Sequence, residues 1–158
     1  MKITSLDSSQ SLCGIYFQKT GESIWNATNA ANLIELLNSG RPPEFRTILG
    51  IQNHDLDKLI SANDWHAVRY SGPFYVDFDA GDDLPHVCEQ FKRFITKLNN
   101  SLGFDLNQAR FFASGAKGFH LEIPQECFMP NVRPEGTAWL PYIYRYMAQE
   151  LAVETLDL

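Results

Sequence analysis

The sequence predicts a mixed α/β fold of the α+β kind, and three observations lead to this expectation. The chain has 158 residues, of which 44% are hydrophobic, so a domain of this length can bury a core. Short runs of β-branched and aromatic residues, bounded by turn signals, indicate strands. Segments with apolar residues three and four positions apart indicate helices. We expect one domain over residues 1–158, with an N-terminal part (1–70) and a second part (71–158).

Charge, cysteines and hydropathy exclude several classes of protein. The 13 Lys and Arg residues are outnumbered by 19 Asp and Glu residues, and a net charge of −6 argues against a surface that coats duplex DNA. A local basic pocket for one phosphate chain is still compatible with this charge. Cys13, Cys88 and Cys127 are scattered, which favours reduced thiols in the cytoplasm and argues against a zinc site. No apolar run reaches the roughly 18 residues of a membrane span, so we expect no membrane partner.

The N-terminal part is predicted to contain short mixed elements. The segment NATNAANLIELLNSG has helical spacing, with Asn26 or Thr28 as the candidate N-cap and Gly40 after the helix end. A strand is expected before this helix and two after it, with a short amphipathic helix between those two. In chain order these segments read GIYF, RTILGI, HDLDKLISAND and HAVRY.

The second part has clearer signals. The strand PFYVDFD begins at a turn formed by Ser71-Gly72-Pro73. A helix is expected over LPHVCEQFKRFITKLNNSLG, with Asp82 or Asp83 as its N-cap and Gly103 as its stop. Two strands, ARFFAS and FHLEI, follow around the tight connection GAKG, and Thr137 is expected to open the last helix.

The order of these elements from Phe74 onward is strand, helix, strand, strand, helix. A split βαβ unit of the ferredoxin-like or RNA-recognition-like (RRM-like) kind has this order and one more strand after it. The chain reaches TLDL and stops soon after the last helix. The sequence therefore predicts such a unit with its last strand missing, that is, a domain truncated at the C-terminus.

Two carboxylates end the strand FYVDFD. Asp77 and Asp79 are two positions apart, so in a strand they share a face, with charges about 7 Å apart. Their apolar neighbours predict a buried strand, in which two unpaired anions would be costly, so a cation is expected between them. Oxygen ligands favour Mg²⁺ or Mn²⁺. The alternative, helix capping or loop solvation, suits Asp82 and Asp83 better.

The second motif is SGAKGFH, residues 114–120, at the turn between the two later strands. Glycines on both sides of Lys117 allow backbone N–H groups to approach an anion, and Ser114 and His120 add donors that suit a triphosphate. The alternative is a plain hairpin with an exposed lysine and a histidine satisfied in the sheet. One helix and one strand separate the two motifs, so a crossover connection can bring both to one cleft. Carboxylates that hold metals opposite a phosphate site are the parts needed for nucleotidyl transfer by two metals.

Together, FYVDFDA and FFASGAKGFHLEIP resemble motifs of the archaeo-eukaryotic primase superfamily, and among its members the primase-polymerases. Those motifs are a strand that ends in D-h-D, where h is hydrophobic, and a strand preceded by S-G-x-[KR]-G-x-H. The resemblance is specific over Arg69 to Pro124. It implies a primase-polymerase catalytic core with two bound ions of Mg²⁺ or Mn²⁺, whose catalytic, metal-binding carboxylates would be Asp77, Asp79 and Asp157.

The same resemblance implies a nucleotide-binding site on the second motif. Ser114, Lys117 and His120 would contact the triphosphate, and Gly115 and Gly118 would shape the turn. The implied activity is that of a nucleotidyltransferase, a DNA primase or primase-polymerase that makes primers on single-stranded DNA from nucleoside triphosphates. The truncated chain alone is expected to be weakly active.

Two alternatives from other classes stay open. One is a non-catalytic nucleotide-binding or docking module of a replication protein, and the other is a metal-dependent nuclease. The sequence also leaves open the preference for ribo- or deoxynucleotides and which helicase or accessory domain lies downstream.

Residues outside the two motifs have weaker signals. Arg69, just before the PFYVDFD strand, is the arginine best placed to reach a nucleotide phosphate, and a solvated side chain is its alternative. His66 is expected to have an ordinary surface or packing role. The aromatic residues of WLPYIYRYM, which include Trp139 and Tyr146, are expected to form core and helix surface rather than a base-stacking platform.

Overall fold

The computed structural model of the chain describes residues 3–4, 15–19, 21, 25–40, 42–52, 55–56, 58–59, 64–79, 83–113, 118–129, 131–132 and 136–151. The fold is α+β, which confirms the predicted class. A bilayer-spanning helix is not found in this described part, because none of its helices combines sufficient length with sufficient apolar character. The elements in chain order are β1 (Ile3–Thr4), β2 (Ile15–Lys19), β3 (Trp25–Asn29), α1 (Ala30–Asn38), β4 (Phe45–Arg46), β5 (Gly50–Ile51), β6 (Arg69–Ser71), β7 (Phe74–Asp79), α2 (Leu84–Leu102), β8 (Arg110–Ala113), β9 (Gly118–Ile123), β10 (Thr137–Ala138) and α3 (Leu140–Leu151).

The chain divides into two compact units. The first consists of Met1–Gly72 together with Arg133–Leu140, and the second of Pro73–Val132 together with Pro141–Leu158. The segment that carries β10 therefore belongs to the first unit although it follows most of the second unit in the chain.

The first unit contains a sheet with the strand order β1-β3-β2-β5-β6-β10, in which β4 also pairs with β2. The pair β1–β3 is parallel and the other pairs are antiparallel. Its core is formed by apolar side chains of the strands and of the segment before β6: Ile15, Phe17, Ile51, Leu56, Leu59 and Val68.

Helix α1 begins later than the sequence predicts. Asn26 and Thr28 lie in β3, where they pair with Gln18 and Tyr16 of β2, so neither is the N-cap. The cap is Asn29, whose side chain accepts a hydrogen bond from the backbone N–H of Asn32 at 2.7 Å. The local pattern suggested a helix start at these two residues, but their pairing with the preceding strand holds them in an extended conformation.

The second unit contains a three-stranded sheet with the order β7-β9-β8, and both of its pairs are antiparallel. The strands β7 and β8 are therefore parallel to each other, α2 connects them, and β9 lies between them. This is the order of a split βαβ unit. Helix α2 has the predicted ends: Asp83 is the N-cap, and Gly103 closes the helix in a left-handed conformation with φ 62°.

Helix α3 also begins later than predicted. Thr137 was expected to open it, but Thr137 and Ala138 form β10, which pairs with Tyr70 and Arg69 of β6. Helix α3 starts at Leu140, and the proline at the next position suits a helix N-terminus because its missing N–H would have no helical partner there.

Candidate active site

The sheet of the second unit has one buried face and one open face. On β7, Phe74, Val76 and Phe78 are buried, whereas the alternate residues point to the other face, where the Asp77 side chain is 46% exposed and Asp79 is exposed. The expectation of a strand buried on both faces is therefore wrong. Helix α2 packs against β7 and β9 through aromatic side chains on the apolar face only, and the two carboxylates stay in contact with water.

The apolar face is held by a cluster of phenylalanine rings. Phe78 contacts Phe91 and Phe94 of α2 with ring centroids 5.1 and 5.2 Å apart, in edge-to-face geometry. Phe91 also stacks on Phe119 of β9 at 5.0 Å and meets Phe111 of β8 at 6.0 Å. One helix side chain thus contacts all three strands, which fixes the backbone on whose other face the candidate residues lie.

On the open face, His120 of β9 lies directly opposite Asp77 of β7. Nε2 of His120 is 3.0 Å from Oδ1 of Asp77. The contact is an ion pair when the imidazole is protonated, and a hydrogen bond when Nε2 carries the proton of the neutral ring. The antiparallel register therefore brings one residue of each sequence motif into direct contact.

Gly118 lies opposite Asp79 in the same register, and it is tightly packed. A Cβ atom at this position would be 1.8 Å from the backbone oxygen of Phe78 and 2.9 Å from the carbonyl carbon of that residue. A side chain of any kind would therefore collide with the backbone of β7. The structure gives Gly118 a packing role between two strands, whereas the sequence suggested only that it shapes a turn around an anion.

Four further residues share the open face and were missed by sequence reasoning. Tyr75 lies two positions before Asp77, with its ring centroid 5.5 Å from that of His120. Glu122 pairs with Tyr75 across the strands, and it forms an ion pair with Arg110 of β8 at 2.8 Å. Phe112 of β8 lies opposite His120, and 45% of it is exposed. Alternation along each strand could have found all four, because residues two apart share a face.

The surroundings of Tyr75 on the open face raise the pKa of its phenol. Burial raises the pKa of its phenol above the ordinary value, and the negative charges of Asp77 and Glu122 raise that pKa further. Tyr75 is therefore a neutral hydroxyl group across the physiological pH range, and it contributes a dipole rather than a charge to the open face.

Several predicted site residues are not part of this arrangement. Ser114, Gly115, Lys117 and Asp157 lie outside the described residues. Arg69 lies on β6 in the first unit, where its side chain is exposed and its backbone N–H donates to Oδ2 of Asp55 at 2.9 Å. The described part of the site therefore consists of Asp77, Asp79, Gly118 and His120.

The donor set of the open face suits a hard cation. Asp77 and Asp79 offer oxygen ligands on one accessible face, and Mg²⁺ is commonly held by one or two carboxylates with water and substrate phosphate completing its shell. Among the described residues, no three His, Cys, Asp or Glu side chains come together as a metal-binding group. The two carboxylates alone therefore fit an ion that shares its shell with water and phosphate, rather than one enclosed by protein ligands.

The chain matches no family model, and comparison with curated proteins and with solved structures gives no match either.

Proposed function

We propose that this chain is the catalytic core of a DNA primase-polymerase, a cytoplasmic nucleotidyltransferase that makes primers on single-stranded DNA from nucleoside triphosphates. The observation that carries the proposal is the contact between Asp77 and His120, with Asp79 on the same accessible face. It joins the D-x-D strand to the strand that follows the glycine-flanked lysine turn, as the resemblance to primase-polymerases implies.

Asp77 and Asp79 would hold Mg²⁺ or Mn²⁺ through their carboxylate oxygens. When bound, two such ions would supply positive charge near the attacking and leaving oxygens of the transferred phosphate. Asp157 would add a third carboxylate. The protein contributes position here, since β7 is fixed from its other face by the ring cluster around Phe91.

His120 would donate a hydrogen bond to the triphosphate of the incoming nucleotide, together with Ser114 and Lys117. Its Nε2 lies 3.0 Å from Oδ1 of Asp77, a contact that holds the ring on the open face. The ring contact with Tyr75 further limits its rotation. A donor that is already oriented loses less conformational entropy when the nucleotide binds.

The reaction would be attack by a primer 3′-hydroxyl on the α-phosphate. A bond forms between the 3′-oxygen and the α-phosphorus, the bond to the bridging oxygen breaks, pyrophosphate leaves and the hydroxyl proton passes to solvent. Positioning and electrostatic stabilisation then supply the catalysis, and no covalent enzyme intermediate is needed.

A non-catalytic binding module is the second candidate, because aromatic side chains also line the open face. Tyr75, His120 and Phe112 occupy neighbouring positions across the three strands, and a sheet face with exposed rings is the surface by which RNA-recognition folds stack bases. Against this candidate, the same face carries Asp77, Asp79 and Glu122, whose charges repel a phosphate backbone unless cations are bound.

Primer synthesis on single-stranded DNA, with Mn²⁺ and labelled nucleotides, tests the proposal. Asp77→Asn and Asp79→Asn should each reduce synthesis to background without loss of folding. Glu89→Gln is the matched control, because Glu89 is an exposed carboxylate on α2 that forms an ion pair with Arg93. Synthesis retained by the Asp77→Asn, Asp79→Asn double variant would contradict the proposal, and nucleotide binding without any synthesis in the parent chain would favour the binding module.

Nucleotide affinity tests the second motif separately. His120→Ala and Lys117→Ala each remove a group that would contact phosphate, and loss of a charged hydrogen bond costs about 1.5–3 kcal/mol, or roughly ten- to a hundredfold in affinity. Titration with a non-hydrolysable nucleotide measures the change. Unchanged nucleotide affinity in both variants would favour the alternative, in which this turn is a plain hairpin.

A further inference from the structure

Phe112 is an exposed ring on the open face of the second unit. It lies on β8, and 45% of the residue is exposed. The residue before it, Phe111, contacts Phe91 of α2 on the covered face. Because neighbouring residues of a strand point to opposite faces, Phe112 points away from α2. Its ring makes none of the aromatic contacts found among the described residues, so core packing does not explain a phenylalanine at this position.

Phe112 ends a row of paired residues that crosses the three strands. It pairs with His120 of β9, and His120 pairs with Asp77 of β7. Directly paired residues of antiparallel strands lie on one face with their Cβ atoms about 4.5–5.5 Å apart. Adjacent strands are about 4.8 Å apart, so the row spans about 10 Å. A carboxylate, an imidazole and a flat apolar ring therefore follow one another in a line across the sheet.

The composition of this row suits a ligand with two chemically different ends. Under the proposed function, Asp77 would hold metal and His120 would contact phosphate. Phe112, at the other end of the row, offers a surface for a flat ring and carries no hydrogen-bonding side-chain group. A nucleotide has this construction, because its phosphates and its base lie on opposite sides of the sugar.

The charges of the open face favour a nucleotide with bound metal over a nucleic-acid strand at this row. Glu122 forms an ion pair with Arg110, so its charge is partly compensated. Asp77 and Asp79 add two further carboxylates on the same face. A polynucleotide carries a phosphate at every residue, and these carboxylates would repel it. A nucleoside triphosphate with Mg²⁺ or Mn²⁺ brings the cations that carboxylates bind.

We propose that Phe112 stacks on the base of the incoming nucleotide, whose triphosphate extends toward His120 and Asp77. This inference rests on the proposed function, and it adds the residue that binds the nucleoside half of the substrate. Stacking on an aromatic ring has little preference among bases, because every base has a π-face. We therefore expect this site to accept all four nucleotides, so that selection among them comes from pairing with a template.

Two ligands separate the contact with the base from the contacts with the phosphates. One is a non-hydrolysable nucleoside triphosphate, and the other is inorganic triphosphate, which has neither sugar nor base. Both are titrated calorimetrically, in the presence of Mn²⁺, into the parent chain and into Phe112→Ala. Phe112→Ala should weaken nucleotide binding about five- to a hundredfold, the range for loss of one base–aromatic stack. Its affinity for inorganic triphosphate should stay equal to that of the parent chain.

Variants of related chemistry complete the test. Phe112→Tyr keeps an aromatic ring and should retain most of the nucleotide affinity, whereas Phe112→Leu keeps only an apolar side chain and should lose most of it. His120→Ala should weaken the binding of both ligands, because His120 would contact phosphate. Phe45→Ala is the matched control, since Phe45 is a phenylalanine of the first unit with 57% exposure. It should bind both ligands as the parent chain does.

Three results would each overturn the inference. They are unchanged nucleotide affinity in Phe112→Ala, an equal loss of affinity for inorganic triphosphate in that variant, and equal nucleotide affinity of Phe112→Leu and Phe112→Tyr. Binding of a labelled oligothymidylate gives a fourth. If Phe112→Ala weakens that binding and leaves nucleotide affinity unchanged, the ring contacts a single strand and the inference is wrong.

Failure of the inference and failure of the proposed function are distinguishable. If Asp77→Asn abolishes synthesis while Phe112→Ala leaves nucleotide affinity unchanged, the enzyme stands and the stacking role of Phe112 is wrong. If Phe112→Ala weakens the binding of nucleotide but not of inorganic triphosphate, and the parent chain makes no primer, the stacking role stands and the catalytic proposal is wrong. A parent chain that binds neither ligand would contradict both.

Discussion

The two faces of the sheet formed by β7, β9 and β8 are made from the same strands, yet their side chains meet different surroundings. On one face, Phe78, Phe119 and Phe111 contact a single ring of α2, and burial is complete at Phe78 but not at Phe111, which is 45% exposed. On the other face, Asp77 and His120 contact each other and water. Packing does not require a carboxylate or an imidazole there.

This difference bears on where the proposed function would lie within the unit. An apolar residue on the covered face stabilises the fold and would be selected for that reason alone. A polar pair on the open face contributes little to stability, because an exposed ion pair is typically worth about 0–1 kcal/mol. Variants that separate stability from activity should therefore divide along the two faces, and the following measurements test that division in order of decreasing effect.

Gly118→Ala is expected to have the largest effect, because Gly118 lies directly against the backbone of β7. The new Cβ would collide with the backbone of Phe78, which cannot rotate away, so β9 would have to move from β7. We expect a loss of more than about 4 kcal/mol in the free energy of unfolding, measured with urea. The control is Gly103→Ala, where a Cβ meets nothing within 4 Å and only the left-handed backbone is strained. Equal losses in both variants would show that the strands tolerate a wider separation.

Phe78→Ala should have the next largest effect, because it removes a fully buried ring from the covered face. Truncation of a buried phenylalanine costs about 3–5 kcal/mol. Phe112→Ala, on the open face of the same sheet, should cost less than about 1 kcal/mol, as surface substitutions usually do. Urea unfolding of both variants compares the faces directly. Similar losses for the two phenylalanines would mean that the open face is covered in solution.

The ion pair between Arg110 and Glu122 should contribute little to stability. Its arginine is 67% exposed and its glutamate 19% exposed, so water screens much of the attraction. A double-mutant cycle with Arg110→Gln and Glu122→Gln should give a coupling energy below about 1 kcal/mol. A larger coupling energy would show that this ion pair stabilises the fold. The two faces would then differ less in their contribution to stability.

Asp77→Asn should lower the pKa of Tyr75 while it changes stability only slightly. The negative charge of Asp77 contributes to the raised pKa of that phenol, so its removal lowers the pKa, although burial keeps it above the ordinary value. A raised tyrosine pKa stabilises the fold below the ordinary pKa of about 10, and this contribution is lost as the pH rises further. Ultraviolet titration of the phenolate, with Tyr75→Phe to assign the signal, measures the shift. An unchanged pKa of Tyr75 in Asp77→Asn would show that the Asp77 carboxylate lies too far from the phenol to affect it.

Local signals predicted those parts of the second unit that depend on neighbours in the chain. A run of apolar and aromatic residues after a turn identified β7, and Asp83 and Gly103 marked the ends of α2, because caps act within one turn. The start of α1 was missed because Asn26 pairs with the strand before it, and the start of α3 was missed because Thr137 pairs with a strand that is distant in sequence. A local window contains no information on such pairing.

The candidate site was predictable as a set of residue types but not as an arrangement. Two carboxylates at period two indicated a shared face, which the structure has. The sequence of β7 alone does not show which face of the strand is exposed, because exposure depends on the face that α2 covers. The contact of Asp77 with His120 depends on the register of β7 with β9, and register is a property of the assembled sheet.

The register of β7 with β9 also has a consequence for the order of folding. Phe74 pairs with Ile123, which lies 49 positions later (123 − 74 = 49), whereas Ala113 pairs with Phe119 only six positions later (119 − 113 = 6). Closing the longer loop costs more chain entropy, so the β8–β9 pair and α2 can form before β7 joins them. During synthesis the D-x-D strand leaves the ribosome well before its partner. We therefore expect Asp77 and His120 to come together in the final step of sheet assembly, and a nascent chain that ends before Ile123 lacks the complete face.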